Sequence, residues 1–260
     1  MTRPNVLILS GHDPSGGAGL HADIEAVAAQ GAHGAAVITA LTRQDTRNVY
    51  GVAPVAEDFF AACIDTLLDD MPFAAIKTGV LVTASQVRIV AELAARLPGV
   101  PLVVDPVLVA AGGGELAGDP VGRAMCDALF AQATLITPNG DEARRLCAGE
   151  TDIDRCGAML VAAGCHVLIT GGDDGDEAEV VNRLYTPGGA IERYTWPRLA
   201  GRFHGSGCTL AASLAARLAL GESLGDAVAN AQAYTERALA RSFSAGSGQS
   251  IPGRWPGGDR

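Results

Sequence analysis

The chain reads as an α/β protein with a mainly parallel central sheet and helices on both faces. Three observations predict this. Short apolar runs alternate with helical periodicity from end to end. Two glycine-rich loops lead directly into helices, one of them straight from a strand. The chain, at 260 residues, is long enough for one large core.

The elements follow in order. Asn5-Val-Leu-Ile-Leu-Ser10 is a buried strand bounded by Gly11, and the loop after it enters a helix that runs to about Gln30. Ala35–Ala40 is a second strand. Glu57–Asp70 has helical periodicity, and Phe73–Thr78 is a short strand. Ala84–Leu97 is helical and stops at Pro98-Gly99. Pro101–Asp105 is an apolar strand that ends on an acid. Pro120–Ala131 is a helix, and Ala133–Thr137 a strand. Gly140–Cys147 and Asp152–Ala163 are helices, and His166–Thr170 is a strand. Val180–Tyr185 and Ile191–Trp196 are two more strands. Ser206–Leu220 and Leu224–Arg241 close the fold as helices. Residues 1–243 are read as a single domain. The Gly/Ser/Pro-rich stretch 244–260 is expected to be a mobile tail or a surface-hugging extension.

Composition excludes several classes. A net charge of −10 argues against a nucleic-acid surface. No apolar run reaches membrane-spanning length, and no signal-peptide pattern opens the chain. Six scattered cysteines without a C-x-x-C suggest reduced thiols in a cytoplasmic protein. Only one of the 19 basic residues is a lysine, Lys77. A cation on a phosphate would therefore be Lys77, an arginine or a metal ion, unless backbone N–H groups take that role.

Two loops carry the chemistry. Phe203-His-Gly-Ser-Gly-Cys-Thr209 runs into an Ala/Leu-rich helix, whose first-turn N–H groups form a natural anion site. Gly11-His-Asp-Pro-Ser-Gly-Gly-Ala-Gly19 precedes the first helix. It is neither a G-x-G-x-x-G fingerprint nor a Walker loop, because no Gly-Lys pair occurs. Asp105 ends a strand, and Thr137-Pro-Asn-Gly-Asp-Glu142 starts a helix. Asn139 and Glu142 are spaced for a capping box, and also for holding a hydrated Mg²⁺ together with Asp105; both roles are compatible. Asp173–Glu177 reads as a solvated hairpin, Gly112–Gly114 as a flap, and His12 and His21 as too loosely placed for a metal site.

The segments Gly11–Asp23, Val37–Gln44, Val104–Val107, Thr137–Glu142 and His204–Thr209 resemble the hydroxymethylpyrimidine and phosphomethylpyrimidine kinases of the ribokinase-like superfamily, over nearly the whole chain. The resemblance implies a ribokinase-like fold and ATP-dependent phosphorylation, with Mg²⁺, of a hydroxymethylpyrimidine and then of its monophosphate for thiamine synthesis. It implies a pyrimidine pocket of Gly11, Ala18, Asp23, Gln44, Val80 and Val107. Asp105, Asn139, Glu142 and Thr170 would serve ATP and its phosphates, with Asp105 and Glu142 holding the metal through water. Gly205, Ser206 and Gly207 would form an anion hole with Cys208, whose thiol would lie near the attacking hydroxyl. A helix N-terminus lowers a thiol pKa while phosphates raise it. Small-molecule substrates, and a homodimer as in many members of that family, complete the expectation. The chain departs from the pattern at Thr170, usually a lysine, and at Val80, usually a methionine. These changes leave pyridoxal kinase, or a non-catalytic pyrimidine sensor, as alternatives.

Overall fold

The computed structural model describes residues 3–108, 116–172 and 178–255. The flap 112–114 and the acidic stretch 173–177 lie outside the described residues. In chain order the elements are β1 (Asn5–His12), α1 (Gly19–Ala29), β2 (His33–Gln44), β3 (Val49–Pro54), α2 (Glu57–Asp70), β4 (Ala75–Thr78), α3 (Ala84–Arg96), β5 (Leu102–Val104), α4 (Asp119–Ala124), β6 (Leu135–Ile136), α5 (Gly140–Leu146), α6 (Ile153–Val161), β7 (His166–Ile169), β8 (Glu179–Tyr185), β9 (Ile191–Pro197), α7 (Ser206–Ala219) and α8 (Leu224–Ala240). The expected helix at 120–131 is one α-helical turn continued by a π turn, Met125–Leu129, and a 3-10 turn, Phe130–Gln132.

The nine strands form one sheet in the order β3-β2-β1-β4-β5-β6-β7-β8-β9. The six central strands are parallel. β3, β8 and β9 add antiparallel edges. Buried strands of continuous Val, Leu and Ile need apolar cover on both faces. One face packs Leu7, Leu9, Ile76 and Val104 against Phe60, Ile64, Val90 and Leu93 of α2 and α3. The other packs Val6, Ile8, Val103 and Leu135 against α1, α7 and α8. On α7 the covering side chains include Ala211, Ala212, Ala215 and Ala216, all fully buried, so this helix lies close to the sheet.

Register decides which side chains meet at the carboxyl end. Lys77 pairs with Ile8 and Val103, so it points to the α7 face. Ser10, Asp105, Thr137 and Thr170 follow Ile8, Val103, Leu135 and Leu168 by two positions. A polar row therefore emerges on the same face as Lys77, where the first turn of α7 arrives.

Residues 244–255 do not behave as a mobile tail. Ser250 bridges Phe203, Ile251 bridges Phe243, and Ile251 and Arg254 are buried. The surface-hugging alternative describes this stretch, except that its end goes inside. Residues 256–260 lie outside the described residues. Among the described residues no helix is long and apolar enough to cross a membrane.

Gln86, fully buried on α3, ties two elements together. Its Oε1 accepts from Val82 N at 3.0 Å and its Nε2 donates to Thr39 O at 2.8 Å. Thr39 Oγ1 in turn donates to Val80 O at 2.7 Å. This network fixes the turn after β4 that carries Val80. Gln86→Leu keeps the volume but strands the partly buried Val82 N–H, while Thr39 O keeps its bond from Val55 N at 2.9 Å. It is expected to cost about 1–3 kcal/mol in urea unfolding; a loss below 0.5 kcal/mol would show that the turn holds itself.

Candidate active site

The site forms where the polar row of the sheet meets the N-termini of α1 and α7. Lys77 and Asp23 are the deepest members. Both side chains are fully buried, and Lys77 Nζ donates to Asp23 Oδ2 at 2.8 Å. Asp23 is thus a core residue of α1; its other oxygen, Oδ1, is buried with no hydrogen-bond partner among the described residues. Burial works against a charged Lys77, but the charges of Asp23 and Asp105 favour the ammonium, as does Cys208 once ionised at high pH, and together they hold it above the ordinary lysine range. Lys77 is thus a structural counter-ion for carboxylates and is closed to solvent.

Asp105 lies on the same face, nearly buried. Burial pushes its carboxyl up to about 6; Lys77 opposes the shift and Asp23 adds to it. The neighbouring Cys208 thiol pulls this carboxyl down against the effect of burial, and the Gly19 backbone N–H likewise pulls the thiol down. Cys208 is partly exposed as a residue. Burial of its thiol nevertheless leads the causes that push it up to about 12, with Asp105 and Asp23 adding to the rise against Lys77. A thiol acidified by its helix N-terminus is not what this environment yields. The group is a neutral S–H at physiological pH.

Above Cys208 the first turn of α7 presents the backbone of Ser206 and Gly207, with Gly205 as N-cap in the left-handed region at φ 83°. A side chain at Gly205 would collide with the carbonyl of Gly17 from the other glycine loop, so glycine is required on both counts. A Cβ on Gly207 would stand 4.0 Å from Asp105 Oδ1, which places the carboxyl directly beneath the turn.

Asn139 and Glu142 form the capping box: Glu142 N donates to Asn139 Oδ1 at 2.8 Å and Asn139 N to Glu142 Oε2 at 3.0 Å. Glu142 Oε1 also accepts from Leu108 N at 3.3 Å, which draws the segment after Asp105 toward α5. Thr170 bridges Asn139, with its N–H on Pro138 O at 3.0 Å, so the two nucleotide-side candidates are neighbours. Gly11 belongs to β1 rather than to the loop after it, and a Cβ there would meet Val80 Cγ1 at 2.7 Å. Val107 N donates to Asp105 O at 2.8 Å in a tight turn. Gln44 stands at the end of β2. It lines a groove of about 360 Å³ between the β2–β3 turn, Pro14-Ser15 and residues 245–247.

Asp13 does more than its place in the glycine loop suggested. Its Oδ1 accepts from Ser15 N and Oγ, both at 2.8 Å. Its Oδ2 accepts from Ala18 N at 2.8 Å and stands 2.8 Å from His204 Nε2. One carboxylate thus shapes the first glycine loop and clamps it to the second, 191 positions away. Sequence reasoning missed this partner because nothing local marks it. Burial works against the charge, but these hydrogen bonds, led by His204, hold Asp13 down at about 2.

A family model described as phosphomethylpyrimidine kinase matches residues 13–252. The hydroxymethylpyrimidine/phosphomethylpyrimidine kinase of Escherichia coli is 35% identical over 257 residues, 96% of each chain. A probable thiamine biosynthetic bifunctional enzyme of rice is 36% identical over 218 residues, 82% of this chain but 40% of the longer rice protein. Among solved structures, pyridoxal kinase from Staphylococcus aureus in complex with pyridoxal superposes with a TM-score of 0.89 at 28% identity, covering 97% of this chain and 93% of that one.

Asp13→Asn should destabilise the protein by about 2 kcal/mol at pH 7, from the fall of the carboxyl from 3.8 to about 2. A depressed carboxyl stabilises above its unfolded value and loses that stabilisation as pH falls through the folded one. The gap between wild type and variant in denaturant melts should hold from pH 7 to about 4 and then narrow toward 2. A gap that does not change with pH would assign the loss to shape rather than charge.

Proposed function

The chain belongs to the phosphomethylpyrimidine kinase family, and from that premise we propose that it transfers the γ-phosphoryl group of ATP to the hydroxymethyl oxygen of 4-amino-5-hydroxymethyl-2-methylpyrimidine, and then phosphorylates the monophosphate. The observation that carries this reading is the stack of Lys77, Asp105 and Cys208 beneath the first turn of α7. It sets backbone N–H donors over a buried carboxyl where a phosphoryl group would travel.

In the reaction, the hydroxymethyl oxygen forms a bond to the γ-phosphorus as the bond to the ADP oxygen breaks. The N–H groups of Gly205, Ser206, Gly207 and Cys208 receive the charge on the equatorial oxygens. Gly11, Ala18, Val80 and Val107 shape the pyrimidine site. Gln44 supplies polar contacts to the ring edge, whereas Asp23, fully buried against Lys77, has no exposed oxygen to offer it and supports the site from beneath. Cys208 positions the hydroxyl as a neutral S–H and is not the proton acceptor at pH 7. The hydroxyl proton is lost late, to an oxygen of the transferring phosphoryl group or to water, because a loose transition state asks little of a base. Asn139 and Thr170 hold nucleotide phosphates through neutral hydrogen bonds. Asp105 and Glu142 offer hard carboxylate oxygens near the phosphate path, which fits Mg²⁺ held through its waters. Bound there, the ion would neutralise phosphate charge. The same reading places the enzyme in the cytoplasm and accommodates a homodimer.

A second reading, pyridoxal phosphorylation, is favoured by the close superposition on a pyridoxal kinase and by Thr170. A coupled ADP-release assay with Mg-ATP, offering the hydroxymethylpyrimidine, its monophosphate and pyridoxal in parallel, decides between them. Turnover of both pyrimidines is expected; turnover of pyridoxal alone would move the assignment, and no turnover with tight pyrimidine binding would make the protein a sensor.

The pH profile should follow Asp105. Its carboxyl is protonated below about 6, so kcat/KM for Mg-ATP should fall about tenfold per pH unit below that point. Cys208→Ser should lower kcat by about tenfold and keep the same acidic limb. A limb that disappears in Cys208→Ser would make the thiol the titrating group.

A further inference from the structure

The last described turn of the chain sends an arginine into the centre of the site. Arg254 is 1% exposed. Its own carbonyl accepts from Tyr234 Oη at 2.8 Å, and Gly253 N donates to Ala238 O at 2.8 Å, so α8 anchors its backbone. The side chain then passes between the two glycine loops. Its Nε donates to Thr209 Oγ1 at 2.8 Å, and Thr209 Oγ1 donates to Gly205 O at 2.7 Å. Nη2 donates to Gly17 O. Nη1 reaches Gly16 O at 3.5 Å and Glu25 Oε2 at 3.2 Å.

These bonds close a ring. The Gly17–Ala18 peptide has its carbonyl on Arg254 and its N–H on Asp13 Oδ2. Asp13 Oδ2 also meets His204, the residue before Gly205. Gly205 returns through Thr209 to Arg254. Both loops are therefore fixed by one guanidinium on one side and one carboxylate on the other. The planar fork of arginine suits several acceptors at fixed angles; a lysine would serve fewer.

We propose that Arg254 is a positioning residue for phosphoryl transfer, setting the Gly205–Cys208 turn in register with the Gly16–Ala18 loop. It touches neither substrate; it acts through Thr209, Gly205 and Gly17. The inference rests on the kinase reading for its rate consequence and on the hydrogen-bond ring for its structural one. Loop misplacement of about 1 Å is enough to cost on the order of a hundredfold in rate.

The test compares full-length wild type, Arg254→Ala and Arg254→Lys, with Arg237→Ala on the exposed side of α8 as control. Four readouts are taken: kcat and KM for both substrates, thermal melting, rescue by added guanidinium, and amide hydrogen exchange. Arg254→Ala should lose about a hundredfold in kcat with KM changed less than about threefold. Millimolar guanidinium should restore at least tenfold of that loss in Arg254→Ala and none in the control, as a free guanidinium refills the ring. Arg254→Lys should fall between. Exchange at 16–18 and 205–209 should rise more than at 243–251. The proposal is overturned if folded Arg254→Ala keeps kcat within threefold of wild type. It is equally overturned if its loss merely tracks the fraction unfolded and guanidinium restores nothing. Should wild type turn over no substrate, the kinase reading fails, and exchange alone decides the ring: no selective rise at the two loops would sink it.

Discussion

The buried pair of Lys77 and Asp23 is the constraint on which the site depends. Two charges closed from water are costly to bury and hold together only with good geometry and full pairing. Here the ammonium also faces Asp105 and Cys208, so a single lysine answers for two carboxylates at the carboxyl end of the sheet. The register of β1, β4 and β5 puts these groups on one face, and the small side chains of α7 bring its N-terminus down onto them. The first turn of α7 thus stands over a carboxyl whose titration burial pushes up to about 6 and a thiol held neutral.

A second constraint acts from above. Asp13 and Arg254 grip the two glycine loops from opposite sides, one as acceptor and one as donor. The glycines give the loops room to approach each other, and the clamp removes the freedom the glycines would otherwise keep. Rigidity at this site comes from charged hydrogen bonds between distant parts of the chain, since beyond Pro14, Ala18 and Phe203 the loops offer no apolar side chains to pack.

Much of the fold was legible because parallel strands buried on both faces read as unbroken apolar runs. Asn5–Ser10, Pro101–Asp105 and His166–Thr170 are of this kind, and the capping spacing of Asn139 and Glu142 is local by nature. β3 escaped because Val49–Pro54 is a half-exposed antiparallel edge strand with no clear alternation. The two glycine loops were visible as glycine patterns before helices. What joins them was not: Asp13 with His204, and Arg254 with Gly17, are contacts of high sequence separation that leave no periodic mark. Arg254 was further hidden in a Gly/Ser/Pro-rich stretch whose composition suggests mobility. The direction of the Cys208 shift was also beyond sequence reasoning, since it depends on how deeply the sulfur is buried beside Asp105.

The most direct test of the account is a double-mutant cycle on the buried pair, read by equilibrium unfolding. Lys77→Met alone should cost about 3–5 kcal/mol, because it strands Asp23 and Asp105 as unpaired buried charges. Adding Asp23→Asn should return a substantial part of that loss, giving a coupling of at least about 1 kcal/mol. Strictly additive losses would mean that Lys77 and Asp23 do not depend on each other, and that the charge cluster beneath α7 is not what organises the site.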